Sequence, residues 1–253
     1  MRVVSVSSTK GGSAKTSTVR TLGALLSEGQ KVLMIDLDPQ ASLTAQCLST
    51  LPRQDIGDVL LKQAKLSDVV HPLSKTLYIA TASMQLTSVE RSLQASPSGQ
   101  FALQRALKGS GFDLVFIDPP PSLSQLSVNA LVASNAIIIP IRPESNDVRA
   151  LSAFLGLLDE IKEIPSVDLK AIAWLPVMVD PRITSHGEIL SVLRALLATA
   201  KELPAIGRTT RMSEASAAMK SVTDYEPGNP RSAEYREAAK EIQKWLKQTL
   251  PAS

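Results

Sequence analysis

Seven short apolar runs recur along the 253 residues, and they are continuously apolar rather than alternating apolar with polar. They are Val3–Ser7, Lys31–Leu37, Leu77–Thr81, Leu114–Asp118, Ala136–Ile141, Ala171–Val179 and a last short one at Leu203–Ile206. A strand without alternation must be covered on both faces, which is the habit of a parallel sheet sandwiched by helices. Helical period falls between the runs, at Thr16–Ser27, Gln100–Lys108, Leu126–Ser134, Asp147–Ile164, Gly187–Lys201 and Ala233–Leu250. Gly29 is placed to stop the first helix. The expected architecture is a doubly wound α/β sheet, mostly parallel, with helices on both faces and one domain over residues 1–253. Gln94–Gly99 reads as a surface loop.

Composition narrows the class. Apolar residues make up 44%, enough for a sizeable core, and the net charge is +3. That mild excess permits contact with nucleic acid or an anionic membrane without demonstrating either. The single cysteine, Cys47, can form no internal disulfide. The N-terminus lacks the apolar run of a signal peptide, and no stretch is long enough to span a bilayer. The expectation is a soluble, cytoplasmic protein.

Directly after the first strand stands Thr9-Lys10-Gly11-Gly12-Ser13-Ala14-Lys15-Thr16-Ser17, followed by a helix. Strand, small-residue loop, Lys-Thr and helix is the setting of a phosphate-binding loop. Small residues let successive N–H groups close around phosphate oxygens, and the helix N-terminus adds its positive end. Lys15 is spaced to reach the β- and γ-phosphates of ATP, and the Thr16 hydroxyl to bind Mg²⁺. The general pattern G-x-x-x-x-G-K-[ST] fails at two places, where Thr9 and Ala14 replace glycine.

Both departures fit K-G-G-x-[GA]-K-[ST]-[ST], so the loop resembles the deviant Walker A motif of the ParA/MinD ATPases. Under that resemblance residues 10–17 cradle ATP, and Lys10 is the signature lysine that reaches the partner's nucleotide in a sandwich dimer. It would act across the interface as an arginine finger does. The second run ends in Asp36-Leu37-Asp38-Pro39-Gln40, close to the family's D-x-D-P-Q. Two aspartates two apart lie on one side of a strand. The resemblance gives Asp38 to the attacking water. It gives Asp36 to the magnesium shell or the loop, with a cap on the helix near Ser42 equally open. Leu114–Asp118 has the Walker B form, in which Asp118 holds a magnesium-bound water opposite Thr16. The triple proline that follows, Pro119–Pro121, resembles the family's phosphate-sensing switch.

The second half extends the likeness. Met178–Arg182 resembles M-x-D-x-R, and Ile206–Ala215 resembles I-P-R-N-V-R-L-S-E-A, with Gly207 and Thr209 in place of Pro and Asn. In the family the segment around Arg208 lies near the adenine. The resemblance implies an ATPase, slow until stimulated by a ParB-type partner. It also implies ATP-dependent dimerisation and non-specific binding of double-stranded DNA on the nucleoid, to position a chromosome or plasmid or, alternatively, a protein cargo. Arg194, Arg208, Arg211 and Lys220 are the basic candidates, with four basic against two acidic residues in 201–220. No N-terminal DNA-binding extension is expected, hence no operator-specific repression.

Three rivals stand beside this reading. Ile242, Trp245, Leu246 and Leu250 share a face near Lys240, Lys244 and Lys247. That helix either packs on the sheet or lies on a membrane, as in MinD-like proteins. The nitrogenase iron-protein group shares the loop but needs cluster cysteines that Cys47 alone does not supply. A metabolic P-loop enzyme that phosphorylates a small substrate is disfavoured by the D-P-Q and R-x-x-R-x-S-E-A segments.

Overall fold

The structure is a computed structural model that describes residues 1–8 and 10–251, so Thr9 of the loop lies outside the described residues. The strands are β1 (Arg2–Val6), β2 (Val32–Asp36), β3 (Val70–Pro72), β4 (Leu77–Ala80), β5 (Leu114–Asp118), β6 (Ala136–Ile141), β7 (Ala171–Pro176) and β8 (Lys201–Glu202). They form one sheet in the order β3-β4-β2-β5-β1-β6-β7-β8. All pairs are parallel except β3 with β4. The chain builds outward on one side of β1 and then crosses to the other, placing the change of direction beside β1. In such sheets the crevice at the strands' carboxyl ends is where ligands bind.

Among the described residues, twelve α-helices cover the sheet. Between β1 and β4 lie α1 (Lys15–Leu26), α2 (Ser42–Ala45), α3 (Ile56–Leu60) and α4 (Leu66–Val69). Next come α5 (Leu86–Gln94), α6 (Ala102–Leu107), α7 (Gln125–Val132) and α8 (Ser145–Lys162). The last are α9 (Thr184–Leu196), α10 (Arg211–Ala217), α11 (Val222–Tyr225) and α12 (Pro230–Thr249). Successive strand residues serve opposite faces, which explains the unbroken apolar runs. Met34, Phe116 and Ile138 point into one core with Val19, Leu22, Tyr235 and Trp245 of α1 and α12. Ile35 and Ile117 point to the other face, against Ile56, Leu86 and Leu126. Farther along that face, Ile137 and Ile139 meet Phe154 and Leu158 of α8.

The long elements lie where the sequence places them, and the differences have local causes. Strand β7 stops at Pro176 because Met178 takes a left-handed conformation, φ +56°, after which Val179 bridges Gly207. The expected strand at Leu203–Ile206 shrinks to β8 just before it. Pro204 lacks an N–H, so only Leu203 and Ile206 donate toward β7, to the Trp174 and Pro176 carbonyls. Helix α12 begins three residues early. Asn229 caps it, its side chain accepting from the Arg231 N–H at 2.9 Å, and Pro230 takes the first turn.

Its apolar face resolves one rival. Ile242, Trp245, Leu246 and Leu250 are all buried in the core shared with α1, while Lys240, Lys244 and Lys247 are exposed. An interfacial membrane helix needs that face free. No helix among the described residues is long and apolar enough to cross a membrane.

The segment expected as a surface loop, 94–99, is pinned at its end. Gly99 is buried, its carbonyl accepts from the Asn129 amide at 3.0 Å, and a Cβ there would collide with the Leu93 carbonyl oxygen. Backbone cannot step aside as a side-chain tip can. Gly99→Ala should therefore cost about 1–3 kcal/mol. Calorimetry should show a melting point lower by about 2–10 °C; an unchanged value would contradict this packing.

Candidate functional site

The loop after β1 owes its shape to two left-handed residues, Gly12 at φ +75° and Ala14 at φ +59°. Ala14 ends the loop, and its carbonyl accepts the Thr18 N–H of α1 at 2.9 Å. Ser13 is buried with its hydroxyl turned inward, donating to the Lys10 carbonyl at 3.0 Å and meeting the Ser8 hydroxyl. That inward bracing leaves backbone and helix terminus to face a cavity of about 500 Å³. Gly11, Gly12, Ala14, Lys15, Thr16 and Ser17 line it on one side. Asp38 and Gln46 close a second side, and Met178, Gly207 and Met212 a third.

Three carboxylates and one ammonium set the electrostatics. Asp36 and Asp118 sit side by side in register at the ends of adjacent strands β2 and β5, both essentially without solvent. Their environments differ. One Asp36 oxygen accepts from the Thr44 N–H at 2.8 Å and the Thr44 hydroxyl at 2.7 Å, the other from the Asp38 N–H at 3.2 Å. Burial raises its pKa to about 6, with the Thr44 bonds opposing. Neither Asp118 oxygen has a hydrogen-bond partner among the described residues. Burial pushes it up to about 8, and the Asp36 charge adds to that. The Thr16 hydroxyl faces Asp118 without closing a bond of good geometry, and together with Lys15 it pulls the pKa back. Lys15 is buried, which lowers its own pKa against the attraction of Asp118 and Asp38. A buried carboxylate with both oxygens bare, next to a helix-terminal hydroxyl, is a donor set that suits a hard divalent cation.

Several sequence expectations change on this geometry. Of the uses open to Asp36, the hydrogen bonds match the helix cap: one oxygen accepts the N–H and hydroxyl of Thr44 in the first turn of α2, and the other accepts the Asp38 N–H. Arg208, expected at the nucleotide base, does not line the cavity. Its neighbours Gly207 and Thr209 do, because consecutive residues of extended chain face opposite ways. Arg208 instead lines an adjacent cavity with Arg182 and Arg231. Lys10, which the resemblance gives to a partner's nucleotide rather than its own, borders a narrow cleft with Pro140 and Asp147, apart from the pocket that Lys15 closes.

The four basic surface candidates divide. Arg194 is held by Glu202 through Nε at 3.0 Å and Nη2 at 2.9 Å. Arg211 pairs with Glu214 and, at 3.2 Å, with Glu226. Arg208 and Lys220 are exposed and form no ion pair among the described residues. The sequence reading missed Thr44, whose hydroxyl also accepts the Ala82 N–H at 2.9 Å, and Tyr235, whose hydroxyl meets Thr18 at 3.2 Å beneath the loop.

Comparison with known proteins follows the same lines. Residues 1–171 match AAA_31, an AAA domain family. The chromosome-partitioning ATPase Soj of Thermus thermophilus is 30% identical over 243 residues, 96% of this chain and 95% of that one. The chain belongs to the ParA/Soj group of P-loop ATPases. Among solved structures, cobyrinic acid a,c-diamide synthase from Mycobacterium smegmatis, with bound ATP analogue and magnesium, is 30% identical with a TM-score of 0.83. It covers all of this chain and 99% of that one. Apo McdA from Cyanothece superposes with a TM-score of 0.88 at 23% identity, covering 96% and 99%, a likeness of fold.

Asp118 carries a measurable cost. Its pKa is raised on folding, so the folded state holds a proton that the unfolded chain has released. The penalty is absent below about pH 4 and grows as pH rises toward about 8. In nucleotide-free protein Asp118→Asn should melt about 2–6 °C higher than wild type near pH 8, with the gap narrowing toward pH 4. Equal melting curves at pH 8 would remove the bare carboxylate from the account.

Proposed function

We propose that the protein is an ATP-hydrolysing partition ATPase that dimerises around ATP, binds DNA non-specifically, and positions a chromosome or plasmid with a ParB-type partner. The observation that carries this reading is the separation of the two loop lysines. Lys15 closes its own pocket, while Lys10, five residues earlier, borders a different cleft. A loop that needed both cations for its own phosphates would turn both inward.

The roles follow the geometry. The N–H groups of residues 11–16 and the start of α1 hold the phosphates of ATP, and Lys15 neutralises their charge. Thr16 and Asp118 would hold Mg²⁺, which when bound draws charge from the phosphate oxygens. Asp36 fixes the turn through Thr44 so that Asp38, on the pocket wall, orients the attacking water. Met178 and Met212 offer apolar contact to the base. Lys10 enters the second subunit's pocket. No arginine lines the pocket, so basal turnover is slow and a partner accelerates it. Arg208 and Lys220 supply the sequence-independent phosphate contacts, and Arg194 and Arg211 join only where DNA phosphates outcompete their glutamates. Two copies joined by ATP double a weak patch, which makes DNA affinity depend on ATP. The setting is the cytoplasm, on the nucleoid.

The test is a DNA-binding assay in ADP and in ATP. Wild type should bind only with ATP. Lys10→Ala should lose both binding and dimerisation. Asp38→Ala should bind persistently, because hydrolysis no longer ends the state. Binding indifferent to nucleotide would remove the switch. ATP turnover that continues with no DNA binding in any state would favour a synthase-like activity.

A further inference from the structure

We propose that the cavity walled by Arg182, Arg208 and Arg231 is a second anion site, for phosphate groups, coupled negatively to the nucleotide pocket through Gly207–Thr209. The cavity holds about 440 Å³ and is completed by Val179, Thr209 and Thr210 among others. Three guanidinium groups face it against a single carboxylate, Asp180. That carboxylate is already spent on Arg182, at 2.9 Å through Nε and 2.7 Å through Nη2. Arg208 has no ion pair among the described residues. Arg231 pairs only through Nη2, with Glu234 at 2.9 Å. Two guanidinium forks therefore keep donors to offer, beside two threonine hydroxyls. Planar forks match the oxygens of phosphate better than any other cation does.

The coupling runs through Glu234. One of its oxygens accepts the Gly207 N–H at 2.8 Å, and the other holds Arg231. The Arg231 guanidinium packs on Gly207 in the space a Cβ would need. Gly207 lines the nucleotide pocket, and Thr209 lines both cavities. An anion that draws Arg231 into the cavity loosens the pair that fixes Gly207, and with it the base-side wall. The linkage is reciprocal, so bound nucleotide disfavours the anion equally. The coupling rests on the reading of the larger pocket as the nucleotide site.

Calorimetry on full-length protein saturated with ADP tests it, since ADP keeps the P-loop filled. Inorganic tripolyphosphate is titrated in one arm; in the other a short DNA duplex is titrated at low salt with ATP in place of ADP, the state in which DNA binding is expected. Tripolyphosphate should bind, and Arg208→Ala and Arg231→Ala should each weaken it about tenfold. A parallel loss of duplex binding assigns the site to DNA phosphates; an unchanged duplex arm assigns it to a small free anion. With tripolyphosphate present, wild type should bind a fluorescent ADP analogue about fivefold more weakly, and Glu234→Gln should abolish that difference while still binding the anion. No binding to the ADP-saturated protein, or binding indifferent to both arginine substitutions, overturns the site. Nucleotide affinity indifferent to the anion overturns the coupling. If ADP itself fails to bind wild type, the nucleotide reading is what fails, and the same titration on bare protein reads the arginine cavity alone.

Discussion

Two carboxylates forced side by side at the ends of adjacent buried strands shape everything around them. Parallel register brings Asp36 and Asp118 together, and neither reaches water. Like charges in such a place cannot both be ionised cheaply. The structure separates their fates. Asp36 is satisfied by Thr44 and the Asp38 backbone, which folds the turn after β2 into α2. Asp118 finds no hydrogen-bond partner among the described residues, a setting that suits a hard divalent cation. Lys15, the first residue of α1, is buried near them, and its attraction to Asp118 and Asp38 offsets part of that repulsion.

The sheet order makes this possible. Placing β1 between β5 and β6 brings residues 10–14 over the same edge at which β2 and β5 end. On the far side, the left-handed turn at Met178 lets Val179 bridge Gly207, and that junction forms the third wall. The arrangement is assembled from strand ends, the loops that follow them and the first turns of α1 and α10.

Much of this was readable from residue order because it is local. The Lys10–Ser17 loop, the aspartates two apart and the apolar run ending at Asp118 each lie within ten residues, and every long parallel strand announced itself by lacking alternation. What escaped was short or long-range. Helices α3 and α4 have five and four residues, too few to display a period, and β3 has three. Helix α5 does carry a spaced apolar set, Leu86, Val89 and Leu93, and could have been found. Thr44 became an Asp36 partner only because α2 returns it to the strand end. The pairing of Arg211 with Glu226 joins residues fifteen apart through two helices. Charge counting along 201–220 saw four cations where the folded surface leaves two unpaired. A residue's neighbours across space decide whether its charge is free.

Ala14 has a consequence of its own. An L-residue at φ +59° bears a modest conformational penalty, on the order of 1 kcal/mol, that glycine would not bear. Yet alanine also roams less than glycine when nothing holds it. The loop thus begins from a narrower set of shapes, and less disorder remains to be frozen out when its N–H groups close on an anion. Part of the tension at one peptide is in this way converted into readiness of the whole turn.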